Sequence, residues 1–471
     1  MPTISGLTVD RRSFLIGSAS LAAALSLPRE SAGATAPPKE FTLSAAPGRI
    51  PLVGPPYPET DVWSYNGSLP GPEIRVRQGE RLRITVNNRL SQDTTIHWHG
   101  VRVPNAMDGV PHLTQEPIQT GGSFVYEFDV PDAGTYWYHP HHHSPEQVGR
   151  GLSGALIVEE IEPLQVDRDL VWVLGDWRLA RDASIVDDFG NRMEATMAGR
   201  IGNTVTINGR VPDTMRVRSG ERLRLRLINA APARIFALEF KDHRPLIVAL
   251  DGQPIESHEP PGGRVVLGPA MRADVVLDMT REPGSTTTVI DSFYRDRAYR
   301  LVDFAYADEP RLRDHSLAAP SRMRANTMPE PDLDNAERHV ATLEGGMMSG
   351  GRMMMGGMMG MGGMGWSING ISAIGHNMRP MLTLARGRSY ILSVRNETAW
   401  YHPVHLHGHS FRVIARNGKP TRYREWLDTV LIPPREQADI AFVADNPGDW
   451  MFHCHILDHQ DGGMMAVIRV A

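Results

Sequence analysis

The sequence is poor in cysteine, in net charge and in long apolar runs. One cysteine in 471 residues excludes an intramolecular disulfide. A formal net charge of −5, without a basic stripe, argues against nucleic acid as a partner. The apolar run at 15–27 is shorter than the roughly 20 residues that a membrane-spanning helix needs. We therefore expect a monomer with no membrane span in its mature form, whose partners are small molecules or metal ions.

The amino terminus has the pattern of an export signal. Arg11 and Arg12 form a twin-arginine pattern directly before the apolar run, and the small residues Ala32, Gly33 and Ala34 follow it. Such a segment directs export and is not part of the folded domain. We predict that residues 1–34 are a twin-arginine export signal and that the mature protein is periplasmic or is released outside the cell.

Turn-forming residues divide the rest of the chain into short segments. There are 36 prolines and 45 glycines, and runs such as 81–86 and 222–227 alternate apolar and polar residues. This alternation is the period of a β-strand. The body of the protein is predicted to be all-β.

A turn followed by an alternating strand occurs three times, which predicts three copies of one β-sandwich unit. The turns are Asn66-Gly67, Asn208-Gly209 and Asn369-Gly370. The predicted units are residues 38–162, 165–308 and 336–471, with a proline-containing linker at 309–335.

The one cysteine lies in a run of metal-binding side chains. Cys454 stands between His453 and His455, with His459 five residues after it and Met464 ten residues after it. A thiolate, two imidazoles and a weak axial thioether are the ligands of blue-copper electron-transfer sites. The second imidazole must come from another part of the chain.

Three further histidine patterns supply it. They are His97-Trp98-His99, His139-Pro140-His141 and the run His402-Pro403-Val404-His405-Leu406-His407. Because side chains alternate between the faces of a strand, His-x-His places both imidazoles on one face, where they can hold one metal ion or two adjacent ions. Any one such pattern is more often incidental, and an isolated cysteine is commonly a small buried hydrophobe. The four patterns together predict a site for several copper ions.

These motifs, in this order, resemble those of the multicopper oxidases, and more narrowly those of bacterial copper-efflux oxidases and bacterial laccases. The resemblance implies three cupredoxin-like Greek-key β-sandwich domains and four copper ions: one type 1, one type 2 and two type 3. It implies His97 and His405 as type 2 ligands, His99, His139, His141, His407, His453 and His455 as type 3 ligands, and His402, Cys454, His459 and Met464 as type 1 ligands.

The second repeat has no histidine after its alternating strand. The predicted ligands therefore belong to the first and third domains, which must lie against each other. The second domain is predicted to be structural and free of copper.

The resemblance also implies two catalytic residues. Cys454 carries electrons from the type 1 copper to its flanking histidines, and Asp108 matches an acidic residue that assists proton transfer to oxygen. Many bacterial relatives have a glutamate for proton delivery where this chain has Gln460. Either of two nearby carboxylates could replace it, Asp458 or Asp461.

A second departure concerns the electron donor. Copper-efflux oxidases place an acidic residue and a methionine, as ligands of a substrate copper, where this chain has Thr398 to Tyr401. The chain thus lacks the acidic residue and the methionine of that substrate-copper site, and Trp400 is expected to pack over the type 1 region or to contact an organic donor.

Residues 347–364 form a methionine-rich segment in which nine of the 18 residues are methionine. Thioethers suit Cu(I) better than harder ions, so the segment is predicted to be a loop that gathers cuprous ions. The alternative is a glycine-rich insert with no role.

Three functions are compatible with these motifs. The leading hypothesis is an oxidase of Cu(I) that serves copper tolerance. The second is a laccase-like oxidase of phenols or aromatic amines, and the third is a copper-sequestering protein without turnover. In the first two, electrons are expected to pass from a donor at the exposed edge of His459 or His402 to dioxygen, which is reduced to two waters.

Overall fold

The computed structural model describes residues 37–315, 317–347, 365–373 and 379–471. The predicted export signal lies outside the described residues, and so does the methionine-rich segment apart from Met347. No helix among the described residues has the length and apolar character needed to cross a membrane. Strands dominate the described chain and pair into six sheets, which confirms the predicted all-β body.

The first sandwich combines a sheet in the order β2-β1-β4-β6 with one in the order β3-β8-β7-β5. Along the alternating strand β4 the apolar side chains are buried and the polar ones, apart from Asn88 at its end, are exposed or half-buried, as the sequence predicts. A 3-10 turn at Asn105–Met107 and the short helix α1 at Ser144–Gly149 connect the strands. The strands are β1 Lys39–Ile50, β2 Thr60–Tyr65, β3 Gly71–Arg77, β4 Arg81–Asn88, β5 His97–His99, β6 Ser123–Asp129, β7 Gly134–His139 and β8 Gly154–Glu159.

The second sandwich combines the orders β10-β9-β12-β17-β14-β15 and β11-β19-β18-β13-β16. It also contains the short helix α2 at Arg192–Ala195 and a 3-10 turn at Pro261–Gly263. The strands are β9 Arg168–Trp177, β10 Thr204–Ile207, β11 Thr214–Val217, β12 Arg222–Asn229, β13 Phe236–Phe240, β14 Leu246–Leu250, β15 Gln253–His258, β16 Val265–Leu267, β17 Arg272–Asp278, β18 Thr286–Asp291 and β19 Tyr299–Tyr306.

Strand β12 is buried along both faces, although its sequence alternates. Its arginines are paired with carboxylates, Arg224 with Asp274 at 2.6 Å and Arg226 with Asp169 at 2.7 Å. The hydroxyl of Thr135, from the first sandwich, accepts from Arg226 at 3.0 Å. The polar face of this strand is therefore an interface between two sandwiches rather than a solvated surface.

The third sandwich combines the orders β21-β20-β23-β29-β25-β26, with β27 beside β25, and β22-β31-β30-β24-β28. The helix α3 at Leu457–Asp461 precedes the last strand. The strands are β20 Glu337–Gly345, β21 Trp366–Ile368, β22 Pro380–Leu384, β23 Ser389–Asn396, β24 His402–Leu406, β25 Phe411–Arg416, β26 Lys419–Pro420, β27 Trp426–Leu427, β28 Thr429–Ile432, β29 Gln437–Val443, β30 Gly448–Cys454 and β31 Met465–Val470.

The repeated turns of the sequence have the same structure in all three sandwiches. Asn66, Asn208 and Asn369 each adopt a positive φ, which asparagine tolerates better than most residues, and a glycine of positive φ follows each of them. Each asparagine oxygen accepts from a backbone N–H near or on the first strand of its sandwich. These donors are Ser44 at 2.7 Å, Val173 at 2.8 Å and Thr342 at 2.7 Å.

A second asparagine recurs at the end of β4, β12 and β23. Asn88, Asn229 and Asn396 are almost fully buried, and each side-chain NH2 donates to one backbone carbonyl of the loop that follows and to another carbonyl at least 30 residues further along the chain. Because a buried amide that bonds several loop carbonyls fixes the loop's path, these residues direct the chain towards His97 in the first sandwich and His402 in the third.

Candidate metal centres

Two adjacent strands and a helix bring Cys454, His402 and His459 together. Cys454 ends β30 and His402 begins the neighbouring strand β24, while His459 lies on α3. Cys454 Sγ is 3.4 Å from His402 Nδ1 and 3.6 Å from His459 Nδ1, and the two nitrogens are 3.2 Å apart. Three soft or borderline donors at these separations can hold one ion in a trigonal site. We call this set the cysteine triad.

The hydrogen bonds of the triad fix which histidine nitrogen is free. The hydroxyl of Thr398 donates to Asn396 at 2.7 Å, so it accepts from Nε2 of His402, also at 2.7 Å. His459 Nε2 donates to the carbonyl of Met197 at 2.9 Å. Because both Nε2 atoms then carry hydrogen, both Nδ1 lone pairs face the sulfur, ready for a metal.

Burial shifts the pKa values of the triad in the direction that favours uncharged side chains. Burial raises the pKa of the Cys454 thiol well above its usual range, and it lowers the pKa of His459 to about 3. The imidazole is therefore neutral, as a metal ligand must be, and a bound cation would deprotonate the thiol.

Two buried residues complete the surroundings of the triad. Met464 is fully buried, and its backbone pairs with both Cys454 and His459 at 3.1 and 2.9 Å. The ring of Trp366 lies 5.2 Å from that of His402 and 4.1 Å from that of His459. No motif in the sequence marks Trp366, which precedes His402 of the triad by 36 residues.

The prediction that His459 or His402 has an exposed edge is wrong. Both side chains have no solvent exposure. The backbone of residues 195–197, from the second sandwich, covers them, with Trp366 Nε1 donating to the carbonyl of Ala195 at 2.6 Å. This cover is a contact between distant parts of the chain, which local patterns do not reveal.

Eight histidines form a second cluster, the histidine cluster, between the first and third sandwiches. All eight are at most 4% exposed. Strand pairing sets their register: His97 lies opposite His139 across β5 and β7, and His405 lies opposite His453 across β24 and β30. The members are His97, His99, His139, His141, His405, His407, His453 and His455.

Ring nitrogens of the cluster approach each other closely. His407 Nε2 and His453 Nε2 are 3.1 Å apart, and His139 Nε2 and His455 Nε2 are 3.3 Å apart. Such pairs require a cation or a proton between them. Donor atoms that lie within 4.8 Å of one another form the groups His97/His99/His139, His97/His405/His407 and His141/His407/His453.

Ring nitrogens of the cluster that lack a hydrogen-bond partner also indicate a metal site. Five buried ring nitrogens have no hydrogen-bond partner, and an unpaired buried polar atom is costly. Burial lowers the pKa of His99 and His141 well below the usual range, so their imidazoles are neutral. The cluster therefore fits copper, which imidazole nitrogen binds well. The five atoms are Nε2 of His97, Nδ1 of His99, Nε2 of His141, Nε2 of His405 and Nδ1 of His455.

Asp108 supports the cluster from the first sandwich. Its carboxylate accepts from His407 Nδ1 at 2.8 Å, and its carbonyl accepts from His97 Nδ1 at 2.9 Å. Its other carboxylate oxygen is buried without a partner. Asp108 thus holds two rings in the tautomers that leave Nε2 free.

Asp428 supports the cluster from the third sandwich, and sequence analysis missed it. Its carboxylate accepts from His99 Nε2 at 3.1 Å, and its carbonyl accepts from His405 Nδ1 at 2.8 Å. Arg272, fully buried on β17, binds both carboxylate oxygens at 2.8 and 2.5 Å. Burial alone would raise the pKa of Asp428, but the charge and hydrogen bonds of Arg272 hold it below the usual range. The second sandwich, predicted to be structural, thus contacts the cluster through a charge pair.

Gln460 and the two carboxylates that could replace the missing glutamate lie in different surroundings. Gln460 is buried and its amide oxygen has no partner. Asp458 turns to the second sandwich, where it accepts from the N–H of Arg200 at 2.8 Å. Asp461 lines a cavity of about 170 Å³ that Gln460 and His141 also line. Of the two carboxylates, Asp461 is the one that lines this cavity together with His141 of the histidine cluster.

Together, the sandwiches and the two clusters define a class of protein: a copper-dependent oxidase in which His453-Cys454-His455 joins a thiolate site to a histidine cluster. Three family models described as multicopper oxidase match residues 52–163, 168–298 and 353–471. The chain belongs to the multicopper oxidase family. Its predicted family, enzyme class and cupredoxin-like fold are confirmed, and copper is the cofactor that the family implies.

Individual relatives cover most of the chain. Multicopper oxidase MmcO of Mycobacterium tuberculosis is 30% identical, covering 90% of this chain and 85% of the relative. A multi-copper oxidase structure from Pseudomonas thermotolerans has a TM-score of 0.81 at 36% identity, covering 93% of this chain and 100% of that chain. The laccase-like multi-copper oxidase CueO of Ochrobactrum sp. has a TM-score of 0.78 at 27% identity, covering 92% and 99%.

Proposed function

We propose that the protein takes electrons one at a time from a donor at the cysteine triad and uses four of them to reduce dioxygen to two waters at the histidine cluster. The observation that carries this proposal is the position of Cys454 between His453 and His455, which belong to the cluster. The triad with Met464 would hold a type 1 copper. His97 and His405 would hold a type 2 copper, and the other six histidines a type 3 pair.

The chain provides a covalent route between the two sites. One flanking residue, His453, lies beside His407 and His141, while the other, His455, lies beside His139. An electron that leaves the sulfur therefore reaches either half of the cluster through one peptide unit and one imidazole. Bound copper supplies the one-electron redox steps and the binding of oxygen, and the protein supplies ligand geometry and burial.

Asp108 would move protons to the reacting oxygen. Its free carboxylate oxygen faces the cluster beside His97 at 3.3 Å. A positioned carboxyl group of this kind typically contributes about 10²- to 10⁴-fold to a proton transfer. Asp108 therefore acts both as a support for two ligands and as a proton donor.

Cu(I) is the first candidate donor, in a role in copper tolerance in the periplasm. The observation in its favour is the start of the methionine-rich segment: Met347 donates to the carbonyl of Thr196 at 2.7 Å and accepts from Trp400 Nε1 at 2.9 Å. Thr196 is one residue from Met197, which binds His459. The segment thus begins beside the triad, and its thioethers suit cuprous ions.

Phenols and aromatic amines are the second candidate. The observation in their favour is a cavity of about 320 Å³ beside the triad, which Phe293, Tyr294, Trp400 and Tyr401 line. The Ochrobactrum relative is described as having oxidase activity towards lignin model compounds. Aromatic walls favour a flat aromatic donor.

Oxygen uptake by the copper-loaded protein tests the proposal. Uptake with Cu(I) or with a simple phenol, together with an intense blue colour and about four copper ions per chain, is expected. Faster uptake with Cu(I) selects the first donor, and faster uptake with the phenol selects the second. Copper binding without uptake from either donor would overturn the proposal in favour of copper sequestration.

A further inference from the structure

The cavity beside the cysteine triad differs from an open groove at a histidine edge. It is about 320 Å³ in volume, and small residues, Ala198 and Ala399, leave room between its aromatic walls. It lies between the second and third sandwiches, because Phe293 and Tyr294 come from one and Trp400 and Tyr401 from the other. The rings of Phe293 and Tyr401, which both line it, contact each other edge to face with their centroids 5.3 Å apart.

Three of its walls are adjacent to the atoms that touch the triad. The N–H of Ile456, a lining residue, donates to Cys454 Sγ at 3.4 Å. Ala198 follows Met197, the partner of His459, and Ala399 follows Thr398, the partner of His402.

A donor in this cavity would therefore contact Ile456, which binds Cys454, and the neighbours of Met197 and Thr398, which bind His459 and His402. Because both histidines are fully buried, no donor can touch an imidazole directly. From this cavity, routes into the triad run through the backbone of Ile456 or through the polar contacts of Met197 and Thr398.

The cavity also carries positive charge. Arg295 lines it, is exposed and, within the described parts of the chain, makes no side-chain hydrogen bond or ion pair. An adjoining cavity of about 710 Å³ shares the wall Tyr294 and contains the exposed Arg297. Asp296 lines neither cavity. An arginine at the rim of an aromatic pocket favours a donor that carries a carboxylate.

We propose that this cavity is the electron-donor site for planar phenols that carry a carboxylate group, with the ring between the aromatic walls and the carboxylate at Arg295. The inference rests on the proposed oxidase function. Each phenol loses one electron and one proton to become a phenoxyl radical. Four phenols supply the four electrons that, with four protons, convert one dioxygen to two waters.

Filling the cavity tests the site. Ala399→Phe in the third sandwich and Ala198→Leu in the second are each expected to raise KM for 4-hydroxy-3,5-dimethoxybenzoate by about tenfold, because an added side chain occupies the space of the ring. Ala319→Leu, at an exposed position of the linker, is the matched control. Blue absorbance and the melting temperature report whether the triad and the fold are intact. An unchanged KM in both filled variants with intact blue colour would overturn the site.

Removing the charge tests the substrate class. Arg295→Gln is expected to raise KM for the carboxylated phenol by about fivefold and to leave KM for neutral 2,6-dimethoxyphenol unchanged, because an exposed ion pair is weak but specific. Added salt should reduce the difference. Arg324→Gln, another exposed arginine, is the control. Equal changes with both phenols would overturn the role of Arg295.

The failure of this inference and the failure of the proposed function are distinguishable. If the wild-type protein takes up no oxygen with Cu(I), the carboxylated phenol or the neutral phenol, the oxidase function itself is wrong. If it takes up oxygen with phenols and the filled variants keep the wild-type KM, only the assignment of this cavity is wrong.

Discussion

The cysteine triad and the histidine cluster are built on different principles. All three members of the triad come from one sandwich, and uncharged groups contact them: the hydroxyl of Thr398, the carbonyl of Met197 and the ring of Trp366. The cluster takes its histidines from two sandwiches, and buried charges hold it, with Asp108 and Asp428 as the hydrogen-bond acceptors. The members of the triad thus come from one sandwich, with the second sandwich as a cover, whereas the cluster depends on how three sandwiches pack.

This difference gives the second sandwich a role that its lack of predicted copper ligands conceals. Arg272 pairs with Asp428 across the interface, and Asp251 accepts from the N–H groups of Asp428 and Thr429 at 3.2 and 3.0 Å. Buried charges of this kind cost several kcal/mol each to desolvate unless their geometry is satisfied. The cluster is therefore sensitive to changes in a domain that supplies none of its predicted ligands.

The largest expected effect comes from breaking the triad itself. Cys454→Ser removes the thiolate, so the blue colour should vanish and donor-driven oxygen uptake should fall by at least about a thousandfold. The cluster should keep about three copper ions, because its ligands remain. Visible absorption, copper content and oxygen uptake measure these outcomes. A blue Cys454→Ser protein would disprove the assignment of the triad.

Breaking the cluster from the interface comes next. Among the described residues, Asp428→Asn leaves Asp251, 3.4 Å away, as the remaining charged partner of the buried Arg272. We expect a loss of about 3–5 kcal/mol in the free energy of unfolding and reduced copper in the cluster, while the blue colour of the triad persists. Asp449→Asn removes the partner of a half-exposed Arg469 and should cost about 1 kcal/mol or less. Equal losses in the two variants, measured by urea unfolding, would show that the buried ion pair contributes no more to stability than the exposed one.

The same contrast explains what the sequence predicts well. The histidines and Cys454 follow from strand alternation and spacing, and the β body follows from periodicity, since both signals are local. Asp428, Arg272 and the cover over His459 depend on contacts between residues more than 150 positions apart, and no local pattern marks them. One missed feature did have a signal, because asparagine ends the alternating strand in all three repeats. It recurs at Asn88, Asn229 and Asn396.

A smaller effect should separate electron transfer from oxygen chemistry. Asp108→Asn keeps an oxygen that can accept from His407 but removes the acidic proton, so oxygen uptake should fall by about a hundredfold. Reduction of the triad by donor without oxygen should proceed at the wild-type rate, because Asp108 does not contact it. Stopped-flow bleaching of the blue colour measures that rate. If bleaching and oxygen uptake slow together, Asp108 acts on the whole assembly rather than on protons.

The smallest expected effect is confined to the triad. Thr398→Val removes the acceptor of His402 Nε2–H, and an unmade buried hydrogen bond costs about 1 kcal/mol. Because this bond fixes the ring tautomer, the blue absorption band should shift and anaerobic bleaching should change several-fold, while the copper content of the cluster stays the same. Thr398→Ser keeps the hydroxyl and should behave as wild type. Loss of cluster copper in Thr398→Val would mean that the two centres are coupled through the third sandwich, and that the triad is less local than its contacts indicate.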